Sequence, residues 1–291
     1  MNNFFMKGVL RNKLICLKCG AVLSDDNKRI VCPHCQTAYQ RRGDAIILSP
    51  FKESFFLNKD SSNGIVDKLK NFFKKFPSLY KIFYYCFGSF LVGKSIKSLL
   101  NNIPEGNLIL NLGSGFKIIR KDVINVDSFP FKGVDVVADI KKIPFLDDSV
   151  DFIICDAVLE HIDEPDAVIK EMSRVLRPGG LVYVTIPFIF GFHSCPEDYY
   201  RWTESGLRAR MKDFCKAEVG VCVGPSSAMV FILSEWLAII LSFGIKRIYE
   251  SLIILFLIVL SPLKLLDFFY YKYPPSKNIA AGFYFIGYKQ D

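Results

Sequence analysis

Two short cysteine pairs stand near the start of the chain. Cys16-Leu17-Lys18-Cys19 is followed, after twelve residues, by Cys32-Pro33-His34-Cys35. Two such pairs can place four thiolates around one tetrahedral Zn²⁺. Gly20 follows the first pair, where a tight knuckle needs conformational freedom. A closed set of four ligands leaves no open coordination position, so the expected role of the ion is structural. So small a module has little core of its own, and the metal would contribute much of its folding energy. His34 is not needed as a fifth ligand. The other five of the nine cysteines are scattered, and the count is odd. That is not a disulfide framework, and it points to a reducing compartment.

A second constellation lies mid-chain. Leu108-Ile109-Leu110-Asn111-Leu112 runs into Gly113-Ser114-Gly115, an apolar strand leading to a glycine turn. The two glycines allow the backbone to approach a ligand closely. Asp122-Val123-Ile124-Asn125-Val126-Asp127 reads as a second strand ending in an acid. An acid at that strand end can accept hydrogen bonds from a ribose diol. His161 and His193 are imidazoles placed to exchange a proton near neutral pH.

The elements that must hold these residues alternate. Val134 to Ile140 is a third strand unit, and Val150 to Cys155 a fourth strand, ending at Asp156. Asp163 to Leu176 has Val168, Ile169, Met172, Val175 and Leu176 on one helical side, and Arg177-Pro178-Gly179-Gly180 terminates it. Leu181 to Pro187 is the next strand. Ala217 to Val223 and Ala280 to Gly287 are the expected sixth and seventh. The alternation is that of an α/β fold with a mainly parallel sheet. Between Gly115 and Asp127 there is room for no more than a stub of helix at Phe116 to Arg120.

On these motifs the chain resembles a class I S-adenosylmethionine-dependent methyltransferase of the type 11-like group. The resemblance covers roughly residues 105–223 and the final strand. It implies a Rossmann-like, seven-stranded fold. It also implies that Asn111, Gly113, Ser114, Gly115, Asp127, Asp139, Ile140 and Asp156 contact S-adenosyl-L-methionine. Asp127 resembles the ribose-binding acid, Asp139-Ile140 the pair beside adenine, and Asp156 to His161 the motif bordering the methyl donor. Asn111 stands where the family usually has an acid, and the later third glycine is absent. Residues 1–48, including Arg41 to Leu48, resemble the Trm112-like zinc ribbons found ahead of some methyltransferases. Phe192 to Thr203 resembles the aromatic loop of a subgroup associated with bacterial glycan gene clusters.

That loop carries the expected acceptor chemistry. His193 is the first candidate base and His161 the second. Tyr199, Tyr200, Arg201 and Trp202 are expected to bind the substrate, a saccharide or lipid-linked glycan precursor methylated on oxygen. Another small or quinone-like acceptor stays open, as does a non-catalytic interaction protein built on a retained fold. A nicotinamide dehydrogenase would use a related glycine turn, but the runs at 156–161 and 177–180 fit methyl transfer better.

Of the chain's residues 51% are hydrophobic and 14% aromatic, and the mean hydropathy is +0.26, which excludes wholesale disorder. Residues 1–100 carry 17 Lys/Arg against 6 Asp/Glu, and residues 101–291 carry 20 against 23. The basic front fits an anionic membrane surface, nucleic acid or simply a solvated face. The lack of a basic-aromatic pattern argues against nucleic acid. The expected domains are a zinc ribbon at 1–48, a helical linker or cap at 49–103, and a methyltransferase domain at 104–291. Helices are expected over Ile65–Phe76, Leu79–Phe87 and Phe90–Leu100. An apolar helical insertion at 226–275 has two helices, Met229–Phe243 and Leu252–Tyr271. Pro262, Lys264 and Asp267 interrupt the second, which leaves it short of a membrane span. Core packing, a homodimer surface or peripheral membrane contact would each cover it. No secretory leader is evident, so the expected location is cytoplasmic, extending to the inner face of the membrane.

Overall fold

The run from Leu108 to Leu112 is buried at every position and supplies the central strand of a large sheet. The computed structural model describes residues 12–25, 30–50, 88–193 and 197–290. The helices expected over Ile65–Phe76 and Leu79–Phe87 lie outside the described residues.

The strands, in chain order, are β1 (Ser24–Asp25), β2 (Ile30–Val31), β3 (Ala38–Arg42), β4 (Ala45–Ile47), β5 (Ile109–Leu112), β6 (Val123–Asp127), β7 (Val136–Val137), β8 (Val150–Asp156), β9 (Leu176–Pro187), β10 (Phe214–Val223) and β11 (Gly282–Lys289). The helices are α1 (Ile96–Leu100), α2 (Pro165–Val175), α3 (Glu204–Arg210), α4 (Pro225–Leu241), α5 (Lys246–Leu260) and α6 (Asp267–Tyr270). The sheet order is β1-β2-β3-β4-β7-β6-β5-β8-β9-β11-β10. From β4 to β9 the pairing is parallel, while β11 runs antiparallel to both β9 and β10. The result is a mixed α/β fold with mainly parallel strands at its centre.

Both faces of the central strands are covered, as parallel sheets require. The period-two alternation shows it directly. Leu110 and Leu112 of β5, with Ile153 and Cys155 of β8, pack under Val168, Ile169, Met172 and Val175 of α2. Ile109, Phe152 and Ile154 face the other way, toward Leu100 and Ala228. Each such fully buried aliphatic contributes about 1.5–3 kcal/mol. Helix α2 begins with Pro165 at its first turn, where a missing N–H costs nothing.

The cysteine-bearing module is joined to this sheet. Strand β4 adds in parallel beside β7, and the Ile46 N–H donates to Asp135 O at 2.8 Å. Cys16, Leu23, Ile30 and Cys32 belong to the same apolar cluster as Phe145 and Ile143. The ribbon and the remainder therefore share one core.

Two sequence expectations change here. Of Phe90–Leu100, only Ile96–Leu100 is helical, capped by Ser95. Gly93, at φ +69°, breaks the chain, and Leu91-Val92 pairs along the edge of β10 instead. The charges in the second apolar segment also do not face outward. Lys264 is fully buried, donates to Gly88 O at 3.1 Å and lies 4.6 Å above the Phe231 ring. Asp267 is fully buried too, and accepts the Ser226 and Ser227 N–H groups at the start of α4 (2.7 and 2.9 Å). A carboxylate there meets the unpaired donors and positive end of the helix. With both charges turned inward, the continuous helical stretch Lys246–Tyr270 is long and apolar enough, by length and composition, to cross a membrane; 17% of its most apolar window is buried.

Candidate functional site

Strand β5 ends at the glycine turn. Gly113 has φ +63°, and a Cβ there would stand 2.6 Å from both γ-carbons of Val158. Gly115 has φ +54°, and its N–H donates to Asp127 Oδ2 at 2.8 Å. The Phe129 N–H takes the other oxygen at 2.9 Å. Asp127 thus ties the end of β6 to the glycine turn while remaining at the wall of a cleft of about 210 Å³. Phe129, Phe131, Ile140, Val158 and Ile162 supply its apolar walls, and His161 closes one side. As expected from the spacing, no helix forms between β5 and β6 among the described residues.

The other residues named for this cleft are placed differently. Asn111 is buried and faces its cross-strand neighbour, donating to Asn125 Oδ1 at 2.9 Å; it does not line the cleft. Ser114 is buried, its hydroxyl without a hydrogen-bond partner among the described residues, and only its neighbours Gly113 and Gly115 line the cleft. Asp139 is exposed and caps the short 3₁₀ turn Ile140–Lys142, which seats Ile140 in the wall.

A second cleft, of about 200 Å³, adjoins the first through Ala157. Ala157 has φ +56°, a sparsely populated conformation for an L residue. Its N–H donates to Thr185 Oγ1, and that hydroxyl donates in turn to Asp156 Oδ1 at 2.6 Å. The Lys117 ammonium pairs with the other Asp156 oxygen. Glu160, Phe190 and His193 line the far end.

Glu160 is the residue that sequence reasoning missed. It lies within the run from Asp156 to His161, but nothing local marks it as different. It is 2% exposed, and neither carboxylate oxygen has a hydrogen-bond partner among the described residues. The Nε2 atoms of His161 and His193 each stand 3.8 Å from its Oε1. His161 Nδ1 is 2.5 Å from Glu197 O, and His193 Nδ1 is 3.3 Å from Gly191 O. Glu160 beside it raises the pKa of His193, against the opposing effect of burial.

Of the aromatic loop, His193 lines the second cleft, but Tyr199, Tyr200, Arg201 and Trp202 line neither. Arg201 is held by both oxygens of Asp198 and by the carbonyls of Phe190 and Gly191. The guanidinium in turn holds the Asp198 carboxyl down to about 2. The Tyr200 hydroxyl donates to Asp163 O, and Trp202 is buried against Arg210. Tyr199 is half exposed and lines neither cleft. These four were expected to bind substrate; instead the last three anchor the loop that places His193. The spacing Asp198-x-x-Arg201 was the available signal for that anchor.

In the ribbon, the four sulfurs of Cys16, Cys19, Cys32 and Cys35 lie within 4.8 Å of one another. The nearest pairs are 3.6 Å (Cys16–Cys35) and 3.4 Å (Cys19–Cys32). Tetrahedral Zn–S bonds of about 2.3 Å require sulfurs about 3.8 Å apart, so the set fits that ion closely. Gly20 (φ +76°) and Gln36 (φ +57°) make the two knuckle turns. His34 is exposed and outside the cluster.

Residues 119–184 match the family model described as a methyltransferase domain. An uncharacterized chloroplastic methyltransferase of Arabidopsis thaliana is 36% identical over 115 residues, covering 35% of this chain and 31% of that protein. An uncharacterized methyltransferase of Mycobacterium leprae is 39% identical over 107 residues, covering 30% and 40%. The chain thus spans well under half the length of these curated relatives. Among solved structures, phosphoethanolamine N-methyltransferase 2 of Haemonchus contortus, in complex with S-adenosyl-L-methionine, is 16% identical. Its TM-score is 0.43, over 76% of this chain and 60% of that one. A complex of the Haloferax volcanii Trm112 methyltransferase activator with a methyltransferase has the same TM-score at 15% identity, over 78% and 98%.

Proposed function

We propose that the protein transfers a methyl group from S-adenosyl-L-methionine to an oxygen of a saccharide or lipid-linked glycan precursor. The observation that carries this reading is the pair of clefts meeting at Ala157. One has an acid and apolar walls suited to a nucleoside; the other has two carboxylates and an imidazole suited to a hydroxylated acceptor. The order β7-β6-β5-β8-β9-β11-β10 supports the seven-stranded methyltransferase reading of the central sheet. The residues fit the cofactor: Gly113 and Gly115 leave open backbone, Asp127 has lone pairs to offer a ribose diol, and Phe129, Phe131 and Ile140 flank an adenine-sized space. When bound, the cofactor supplies a methyl group activated on a sulfonium. Asp156 holds negative charge at the junction, braced by Thr185 and neutralised by Lys117. Bringing the two reactants together in line accounts for much of the rate such a site provides.

Removal of the acceptor's proton depends, in this reading, on His193. His193→Gln is expected to lower kcat by about 10²–10⁴-fold while S-adenosylhomocysteine binding, measured by calorimetry, stays unchanged. Retained turnover would remove His193 from the mechanism. For the whole reading, the test is calorimetry with S-adenosylhomocysteine followed by methyl transfer to glycan extracts. Binding without transfer to any extract would favour the non-catalytic interaction protein, and no binding would reject the cofactor.

We further propose that the ribbon holds a structural Zn²⁺, and that the hairpin of α4 and α5 rests on the inner face of an anionic membrane. The turn between the helices exposes Phe243 (85%) and Ile245, the first turn of α5 exposes Lys246 and Arg247, and α5 has no fully buried side chain. An apolar tip beside two cations suits a headgroup boundary. Flotation with vesicles containing phosphatidylserine is expected to carry the protein, and Phe243→Asp with Ile245→Asp is expected to leave it behind. A lipid-free dimer that the same double substitution splits would show a homodimer surface at 226–275 instead.

A further inference from the structure

The strongest unexplained feature is the buried Glu160 between two imidazoles, its oxygens without a hydrogen-bond partner among the described residues. A carboxylate removed from water without partners costs several kcal/mol. Something must face it. His161 and His193 approach with the same atom, Nε2, and each stands 3.8 Å from Oε1. Their opposite nitrogens sit against backbone carbonyls, of Glu197 and Gly191. A carbonyl accepts only, so the neutral His161 ring carries its proton on Nδ1 and presents a lone pair at Nε2; His193 Nδ1 lies between Gly191 O and the Arg201 guanidinium (3.4 Å), and its Nε2 presents a lone pair when Nδ1 gives its proton to the Gly191 carbonyl. Two lone pairs and a carboxylate then converge on one point, and the three ligand atoms all lie within 4.8 Å of each other.

We infer that Glu160, His161 and His193 form a binding site for one divalent transition-metal cation, set where the two clefts meet. Three observations carry it. The donor set, two imidazoles and a carboxylate on one side of an open position, is that of a three-ligand metal centre. The backbone carbonyls behind each ring provide the outer contacts that fix ring orientation and tautomer in such centres. The orphaned oxygens of Glu160 acquire the positive partner their burial demands. The three ligands also come from rigid supports. The backbone N–H of Tyr199 donates to Glu160 O at 2.7 Å, and the Asp198–Arg201 pair fixes the segment bearing His193, whose own N–H donates to Asp198 Oδ2 at 2.9 Å. Among the described residues no soft thiolate belongs to this set, which separates its preference from that of the four-cysteine ribbon.

The consequence for the acceptor rests on the methyl-transfer reading. Glu160 and His193 face the second cleft, and His161 the first. The open positions of the cation therefore point to where an acceptor oxygen would meet the donor. A cation there would acidify a coordinated hydroxyl, whose proton would leave to water; with its Nε2 on the cation His193 would serve as a ligand, and it would act as the base only with the cation absent. A cation held by these three ligands alone would favour an acceptor with neighbouring oxygens, such as a vicinal diol, over an isolated hydroxyl.

The test is a titration of the zinc-loaded protein with Co²⁺, read by calorimetry and visible absorption. One Co²⁺ per chain is expected to bind with the weak d–d bands of nitrogen and oxygen ligation, lacking the intense sulfur charge-transfer bands of a cysteine site. Glu160→Gln, which keeps shape, and His161→Gln are each expected to weaken binding by more than about 100-fold, the upper range for loss of mere outer contacts. Both should retain zinc, and Glu160→Gln, which lies outside the cofactor cleft, should also retain S-adenosylhomocysteine affinity. No Co²⁺ binding by the zinc-loaded protein would overturn the inference, as would binding undiminished in both variants. Either result would leave the methyl-transfer reading standing, because cofactor affinity is measured separately. Loss of S-adenosylhomocysteine affinity with Co²⁺ binding intact would do the opposite.

Discussion

Cys32→Ser is expected to strip the bound zinc and to lower the thermal midpoint of the whole chain, not only of its first part. Structural zinc sites contribute about 10–16 kcal/mol to small modules of this kind. Here the ribbon is not a separate bead. Cys16, Cys32, Leu14, Leu23, Ile30 and Ile46 share one cluster with Phe145 and Val136. Strand β4 covers the edge of β7, a two-residue strand that would otherwise present open backbone donors and acceptors. The Lys142 ammonium also donates to Leu17 O at 2.6 Å, at the first knuckle. Losing the ion should therefore loosen β4, expose the β7 edge and promote association. Zinc content by mass spectrometry and melting by circular dichroism check this. A variant that loses its zinc yet melts with the native midpoint would show the ribbon to be uncoupled.

The second large effect is expected at Asp127. Both of its oxygens hold backbone N–H groups, from Gly115 and Phe129. Asp127→Ala leaves two part-buried donors without that acceptor, at up to about 1–3 kcal/mol each. It also removes the carboxylate offered to the ribose. Hydrogen bonds to a charged group contribute about 1.5–3 kcal/mol, so S-adenosylhomocysteine affinity should fall by about 10–100-fold. Asp127→Asn, with one acceptor oxygen left, should fall between the two. Calorimetry decides it; an unchanged affinity in the alanine variant would show that this cleft is not the cofactor's.

Much of the framework was legible because buried parallel strands announce themselves as apolar runs. Leu108–Leu112, Val150–Cys155 and Leu181–Pro187 are such runs, and each became a strand or most of one. Thr203 was legible as a cap for the same local reason, and its hydroxyl accepts the Gly206 N–H. What failed depended on contacts distant in sequence. Asn111 looked like a substituted cofactor ligand because its partner, Asn125, is fourteen residues away on the next strand. Arg201, Tyr200 and Trp202 looked like a binding surface because polar aromatic loops so often are. Their partners Asp198, Asp163 and Arg210 turn them into braces. Lys264 and Asp267 looked like breaks in an apolar helix, and only the fold shows that both point inward. Glu160 was invisible for a related reason: burial without a partner leaves no mark in a sequence.

The place of β11 has a consequence for how the protein is made. This strand lies between β9 and β10, yet follows both in the chain, with α4 and α5 synthesised in between. Until β11 emerges, β10 lacks the neighbour that joins it to the rest of the sheet. At roughly 5–20 residues per second, a ribosome finishes the apolar hairpin some seconds before it delivers that strand. During this interval the hairpin is complete while the domain beneath it is not. Whatever receives its greasy face, bilayer or chaperone, meets it first as part of a nascent chain.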